Sequence, residues 1–220
     1  MITAAQRDFL ELLVTREALK FGDFTLKSGR KSPYFINTGC FNRGSDLALL
    51  GAAYAATIKA RFGDGIATVF GPAYKGIPLA LAAAAAYEQL VGRPTGWTYD
   101  RKEAKTHGDG GLFVGFPLTA GTPVVIVDDV LTAGTALRES LEKLKPTGVK
   151  VLGAVVAVDR QERGQGNRTA IEELAADSGV TVAPIITITE AADYLRANDV
   201  AGKRYLTATD RERISRHLVG

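Results

Sequence analysis

A chain of 220 residues is long enough for one large domain, and its 27 basic against 24 acidic side chains leave a net charge of only +3. A chain of this size buries roughly 70% of its unfolded surface, so neither a disulfide framework nor a structural metal is needed for stability. The basic residues are mostly interleaved with acids, which argues against general nucleic-acid binding and permits a local anion site. The single cysteine, Cys40, cannot close an intramolecular disulfide, fits a reducing compartment and reads as a small buried hydrophobe. His107 and His217 are the only histidines, so no zinc or haem cluster can be assembled. The N-terminus lacks the basic-then-apolar layout of a signal peptide, and the longest apolar run, 77–87, is far shorter than the roughly 20 residues a membrane span requires. A soluble, cytoplasmic protein with no membrane partner is expected, and the sequon at Asn167 is read as chance.

In chain order, Thr3 and Gln6 form a capping box that opens a first helix with Phe9, Leu10, Leu13 and Val14 on its core face. Residues 24–37 read as a strand pair turning at Ser28-Gly29. Ser45 and Asp46 are expected to cap a helix reaching to about Arg61, stopped by Gly63. From there short apolar strands alternate with helices. The strands fall at 66–70, 97–99, 124–127, 151–158 and 180–188. Helices follow from near Pro78, over 136–145 and over 170–176, with two polar helices at the C-terminus. This alternation implies an α/β fold around a parallel sheet. Two stretches escape the scheme: 101–111, charged and then glycine-rich, and 159–166, directly after a strand. Ligands gather at the carboxyl ends of strands in open α/β sheets, and four loops converge there.

The strongest chemical signal is the run 124–136. A continuous β-branched strand ends in Asp128-Asp129, and Val130, Leu131, Thr132, Ala133, Gly134, Thr135 and Ala136 lead into a helix. Backbone amides and hydroxyls at a helix N-terminus suit a phosphate dianion. The carboxylates would repel that phosphate, so they must face something else. Two neighbouring ribose hydroxyls match them, since an ionised carboxylate only accepts hydrogen bonds. No Walker loop and no dinucleotide-binding glycine pattern is present.

At these residues the sequence resembles the type I phosphoribosyltransferases through their phosphoribosyl diphosphate signature. Four further segments narrow the resemblance to the orotate phosphoribosyltransferases of the common bacterial form. They are Phe24 through Phe35, Gly71-Pro72-Ala73-Tyr74-Lys75-Gly76-Ile77-Pro78, Arg101-Lys102-Glu103-Ala104-Lys105-Thr106-His107-Gly108, and Asp159-Arg160-Gln161-Glu162-Arg163-Gly164. The likeness covers nearly the whole chain and fades after about Glu190. It implies a type I phosphoribosyltransferase fold over residues 1–220, with a mainly parallel central sheet flanked by helices. A hood, from about residues 1–45 plus C-terminal elements, would cover the site.

The resemblance also implies roles. Asp128 and Asp129 hold the ribose hydroxyls, and the loop through Ala136 holds the 5-phosphate. Lys75 reaches the diphosphate with Tyr74 beside it, and family members can have a non-proline cis peptide at the bond matching Ala73–Tyr74. Lys27, Phe35 and Ile36 match the hood over orotate and the sugar, and Thr132 and Arg160 match positions contacting orotate. Ile36 departs from the family, which often has an aromatic there. Residues 101–111 look like a mobile catalytic loop whose Arg101, Lys102, Lys105 and His107 carry positive charge to the leaving diphosphate, with glycines supplying mobility. That loop closes over the neighbouring subunit, so a homodimer with shared sites is implied. Mg²⁺ is the expected cofactor, held mainly through the substrate or water-bridged to Asp128 or Asp129, with no direct protein ligand set. Catalysis would rest on Lys105, Asp129 and His107, and the substrates would be orotate and 5-phosphoribosyl 1-diphosphate.

Rival readings are a phosphoribosyltransferase for another base, a non-catalytic regulator sensing the same donor, and a scaffold. The 101–108 cassette, Lys27 and Arg160 speak against the first. The retained loop cations and the lack of a dedicated basic face speak against the second, and the charged, glycine-rich loop at the strand ends against the third. His217 reads as an ordinary surface histidine, the Arg211-Glu212-Arg213 cluster as a solvated helix face, and the alanine run 82–86 as a tightly packed helix.

Overall fold

The structure, a computed structural model, describes residues 1–25, 29–105, 111–131, 134–162 and 168–219, and only the backbone at 104, 105 and 219. Continuous apolar runs became the inner strands: β3 (Thr68–Gly71), β6 (Pro123–Val130), β7 (Lys150–Asp159) and β8 (Val182–Thr187). Together with β4 (Gly96–Lys105) and β5 (Gly111–Gly115) they form a six-stranded sheet in the order β5-β4-β3-β6-β7-β8. Every neighbouring pair is parallel except β4 with β5, which closes one edge antiparallel.

Both faces of this sheet are covered, which is why the strands read as unbroken apolar runs rather than as alternation. Val125 and Val127 of β6 face a core completed by α1 (Ala4–Thr15), α2 (Gly44–Phe62), α3 (Gly76–Val91) and α6 (Ile188–Ala197). Val124 and Ile126 face the opposite core, with Leu137 and Leu144 of α4 (Thr135–Leu144) and Leu174 of α5 (Ala170–Ser178). The alanine-rich α3 lets α2 come very close. A Cβ on Gly51 would stand 2.5 Å from the carbonyl oxygen of Ala82.

Outside the sheet, β1 (Leu19–Thr25) and β2 (Lys31–Ile36) pair antiparallel, and α7 (Ala208–Val219) packs against β2. Helix α1 opens with the expected Thr3–Gln6 capping box and buries Phe9, Leu10, Leu13 and Val14. Its far end is tied to α2 where Arg16 Nε donates to the fully buried Asp46 at 2.8 Å.

Several expected boundaries shift for identifiable reasons. Helix α2 begins at Gly44 rather than after Ser45, because Asp46 reaches back 3.2 Å to the Arg43 amide from within the first turn. Helix α3 starts at Gly76, which leaves Pro78 in the first turn, where its missing N–H removes no helical bond. Strand β4 runs past the expected 97–99 to Lys105, and β5 is an additional strand, because the two pair antiparallel at the sheet edge. Cys40 is only partly buried, against the α2-side core. The Arg211–Arg213 cluster is no free helix face either. Arg211 pairs with Asp193 of α6 at 2.6 Å and Arg213 pairs with Asp23 of β1, so α7 is anchored at both sides by ion pairs.

Substituting Gly51→Val forces a branched side chain into the α2–α3 contact. A loss of about 1–3 kcal/mol is expected, the usual cost of overpacking. Urea unfolding curves measure it, and an unchanged midpoint would show that the two helices are not in fixed contact.

Candidate active site

Strands β4, β3, β6 and β7 lie side by side and run parallel, so their carboxyl ends open on one edge of the sheet. The loop after β3 is set by two glycines in mutual contact. A Cβ on Gly71 would come within 2.0 Å of the Gly76 carbonyl oxygen, so only glycine allows so tight a return into α3. Within that loop the Ala73–Tyr74 peptide is cis, as the resemblance led us to expect. The Ala73 amide donates 2.7 Å to Asp100 Oδ1, whose second oxygen takes Lys143 Nζ of α4 at 2.5 Å. Asp100 is 3% exposed. Sequence reasoning passed over it, although a carboxylate at a strand end directly before Arg101-Lys102 was the available signal. Tyr74 stands out into solvent at 67% exposure, and Lys102 Nζ lies 4.7 Å from its ring centroid. Arg101 Nη1 donates to the Gly111 carbonyl at 3.2 Å, bracing the β4–β5 edge.

Asp128 and Asp129 occupy the last turns of β6 rather than a loop beyond it, because β7 continues to pair with them: Asp128 aligns with Val156 and Val130 with Val158. Asp129 Oδ2 accepts from Lys75 Nζ at 2.9 Å and from Thr38 Oγ1 at 2.8 Å, while Oδ1 accepts the Val130 amide at 2.7 Å. Asp128 Oδ1 accepts the Asp129 amide at 2.9 Å, and its carbonyl accepts from the buried Tyr54 hydroxyl at 2.8 Å. The two carboxyls are driven apart electrostatically. Burial, reinforced by the neighbouring Asp129 charge, pushes Asp128 up to about 6. Burial also pushes at Asp129, but Lys75, the Val130 amide and Thr38 together hold it below the ordinary range. The hydrogen bond to Asp129 raises the Lys75 ammonium in turn, and burial raises Tyr54 well above a usual phenol. On the α2–α3 side of this pair lies a cavity of about 340 Å³, mostly apolar, with Thr38, Tyr54, Lys75 and Asp129 among its walls.

Beyond β6, Gly134 takes the left-handed conformation (φ 71°) that lets the chain turn directly into α4, with Thr135 and Ala136 exposed at the helix start. The first amides of α4 have no acceptor within the helix and are available to an anion. Leu131 is buried in the α4-side core, and Val130 belongs to the β6–β7 ladder.

One strand over, Arg160 leaves β7 into a dense polar cluster. Its Nε and Nη2 donate to Glu162 Oε1 at 3.1 and 2.6 Å. The Tyr34 hydroxyl of β2 lies 2.7 Å from the same oxygen and 3.0 Å from the Arg160 carbonyl. Arg30 pairs with Glu162 Oε2. His217, expected to be a bland surface residue, instead sits 3.3 Å from Glu162 with its side chain 15% exposed, edge-on to the Tyr34 ring. Its place in the cluster was illegible because only the packing of α7 on β2 brings it there. Burial pushes Tyr34 up to about 12, and burial with the charges of Arg30 and Arg160 holds His217 below its ordinary value. Both are therefore neutral near pH 7. Phe35 is 39% exposed and stacks on Phe24 with ring centroids 5.6 Å apart, whereas Ile36 turns inward against the α2-side core.

Lys75 and Asp129 thus touch, Asp128 adjoins them, and Arg160 follows one strand away. Lys27, His107, Thr132, Ala133 and the Lys105 side chain lie outside the described residues. Among the described residues no group of three or more His, Cys, Asp or Glu side chains converges as a metal site.

Comparison with known proteins gives a consistent result. The sequence profile of the phosphoribosyl transferase domain matches residues 43–171. An orotate phosphoribosyltransferase of Pseudomonas fluorescens is 49% identical over 208 residues, covering 94% of this chain and 95% of that protein. Another from Klebsiella pneumoniae is 51% identical over 192 residues, covering 86% of this chain and 88% of its own length. A crystal structure of orotate phosphoribosyltransferase from Francisella tularensis superposes with a TM-score of 0.80 at 36% identity, covering 94% of this chain and 96% of that one.

The raised Asp128 carboxyl has a measurable signature. Its folded value near 6 lies above the unfolded value of about 4, so the folded chain holds this proton more tightly. The stability it contributes is present below about pH 4 and lost as pH rises through about 6. Asp128→Asn removes that titration. Relative to the variant, the wild type is therefore expected to lose stability between pH 4 and 7 in urea unfolding. Parallel curves for the two proteins would show that Asp128 titrates normally.

Proposed function

The chain belongs to the orotate phosphoribosyltransferase family, and from that premise we propose that it transfers the 5-phosphoribosyl group from 5-phospho-α-D-ribose 1-diphosphate to orotate. The products are orotidine 5'-phosphate and diphosphate, a step of pyrimidine biosynthesis. The observation that carries this reading is the 2.9 Å contact between Lys75 and Asp129 on the strand edge that also bears Asp128 and Arg160. A cation suited to diphosphate and a carboxylate suited to ribose hydroxyls stand within the span of one phosphorylated sugar.

In this reading residues 1–220 act as one phosphoribosyltransferase domain, with the hood from about residues 1–45 plus C-terminal elements. The α4 amides from Gly134 onward, with Val130 through Ala136, take the 5-phosphate. Asp128 and Asp129 hold the ribose hydroxyls and favour positive charge developing on the sugar ring. When donor arrives, Lys75 exchanges its Asp129 partner for diphosphate oxygens, joined by Tyr74, Arg101 and Lys102. Lys105 and His107 complete the charge on the leaving group. Lys27, Phe35, Ile36 and Thr132 bound the base, and Arg160 offers it a planar fork. Diphosphate departs as, or just before, N1 of orotate attacks the anomeric carbon from the opposite face. The chain's contribution is positioning and charge stabilisation, with no covalent intermediate.

Hard carboxylate oxygens at Asp128 and Asp129 suit Mg²⁺, which keeps several non-protein oxygens in its shell, so the residues fit an ion held mainly through substrate. When bound, it would supply positive charge that offsets the negative charge of the donor's diphosphate. A homodimer, in which residues 101–111 of one subunit serve the neighbouring site, and a cytoplasmic location complete the reading.

The direct test follows orotate absorbance with donor and Mg²⁺, with uracil, hypoxanthine and adenine as competing bases. Consumption of orotate alone is expected, and orotate left unchanged ends the reading. Lys105→Ala is expected to lower kcat by roughly 10²–10³, the scale of losing one preorganised charge contact. Mixing it with Asp129→Asn should restore part of the activity through hybrid dimers carrying one intact site. Verified heterodimers without restored activity would remove the sharing of sites between subunits.

A further inference from the structure

The Glu162 cluster lies at the exit of β7, one strand over from the β6 end that bears the Lys75–Asp129 pair. One carboxylate, on a side chain 12% exposed, receives Arg160, Tyr34, Arg30 and His217. Those four come from the hairpin, the β7 exit and the C-terminal helix, so three separately folded pieces of chain meet on it.

We infer that Glu162 is a positioning residue for base selection: it captures one edge of the Arg160 guanidinium and aims the other at the base. The inference rests on the orotate reading above. A guanidinium offers two edges that can each donate two parallel hydrogen bonds, one through Nε and Nη2, the other through Nη1 and Nη2. Glu162 takes the first edge, at 3.1 and 2.6 Å. The Tyr34 ring supports the same guanidinium, whose Cζ lies 5.4 Å from the ring centroid. With Nε captured and the plane backed by a ring, the side chain has lost the rotations that would let it swing. The second edge is left in one direction, and its donors suit a planar acceptor with two parallel oxygens or an oxygen beside a nitrogen, such as the carboxylate or carbonyl edge of orotate.

Charge points the same way. Within this contact set two guanidinium groups face a single carboxylate, while Tyr34 and His217 are neutral near pH 7. An anionic base gains more than a neutral one from the Arg160 guanidinium, whose side chain is only 14% exposed. Helix α7 becomes part of base recognition through His217, even though it lies beyond the residues matched by the domain profile.

Steady-state kinetics of Glu162→Gln test this, with orotate and donor varied separately. The expected result is a KM for orotate raised about tenfold or more, the scale of misaligning one charged hydrogen-bonded contact. The KM for donor should stay within twofold and kcat should fall by less than threefold. Glu162→Asp, which keeps the charge, should recover part of the orotate affinity. A loss that was merely structural would move both KM values, kcat and the melting temperature together. An orotate KM within twofold of wild type, or an equal rise for both substrates, overturns the inference. If Glu162→Gln does not fold, Tyr34→Phe decides, since it keeps the ring and deletes the hydroxyl. An orotate-selective KM rise there upholds the inference, and an unchanged or unselective one overturns it. Arg160→Lys separates this proposal from its premise. If that variant loses orotate affinity while Glu162→Gln does not, only the positioning role fails. Wild-type protein that never consumes orotate fails the premise, and the inference with it.

Discussion

The pairing of β6 between β3 and β7 is the constraint on which the site depends. Its apolar run is hydrogen-bonded on both sides and packed on both faces, so the strand cannot shift register without exposing one core or splitting the other. That rigidity carries Asp128 and Asp129 to one edge at a fixed height. The parallel neighbours deliver the Lys75 loop and Arg160 to the same edge from either side. Remove the parallel arrangement and the same residues would end on opposite rims of the sheet.

Electrostatics at this edge is organised by separation. Two adjacent carboxyls would ordinarily titrate together. Here Lys75 and Thr38 stabilise the charge on Asp129, while burial and that very charge raise Asp128. The lysine is 71% exposed in its side chain, so its pairing with Asp129 is a contact that an arriving anion can replace at little cost. Around Arg160 the opposite design holds: the partners are buried, the aromatic ring is beneath, and the carboxylate is bonded from several directions. One cation is kept exchangeable and the other is held still. In the proposed reaction the first suits a leaving group that comes and goes, the second a base that must be told apart from similar ones.

A second support lies under the loop after β3. Asp100, buried between the Ala73 amide and Lys143, links that loop to α4 and therefore connects the elements on both flanks of β6. Such links are invisible to periodicity, since a buried carboxylate between a strand and a helix leaves no repeating pattern along the chain.

What the amino-acid order determined by itself was local or nearly so. Unbroken apolar runs specified the inner strands, and the Thr3 box specified the start of α1. The contiguous run through Asp128 and Asp129 announced an acidic pair ahead of a helix start. These features depend on neighbours within one turn or one strand, where backbone sterics and solvent exclusion act directly. Only the tertiary structure decided the rest. It made β5 an edge strand, put Asp100 beneath the Lys75 loop, and drew His217 from the far end of the chain to Glu162. Each of those contacts joins residues separated by long stretches of sequence. Their energy comes from packing and charge complementarity that exist only once the separate elements have docked.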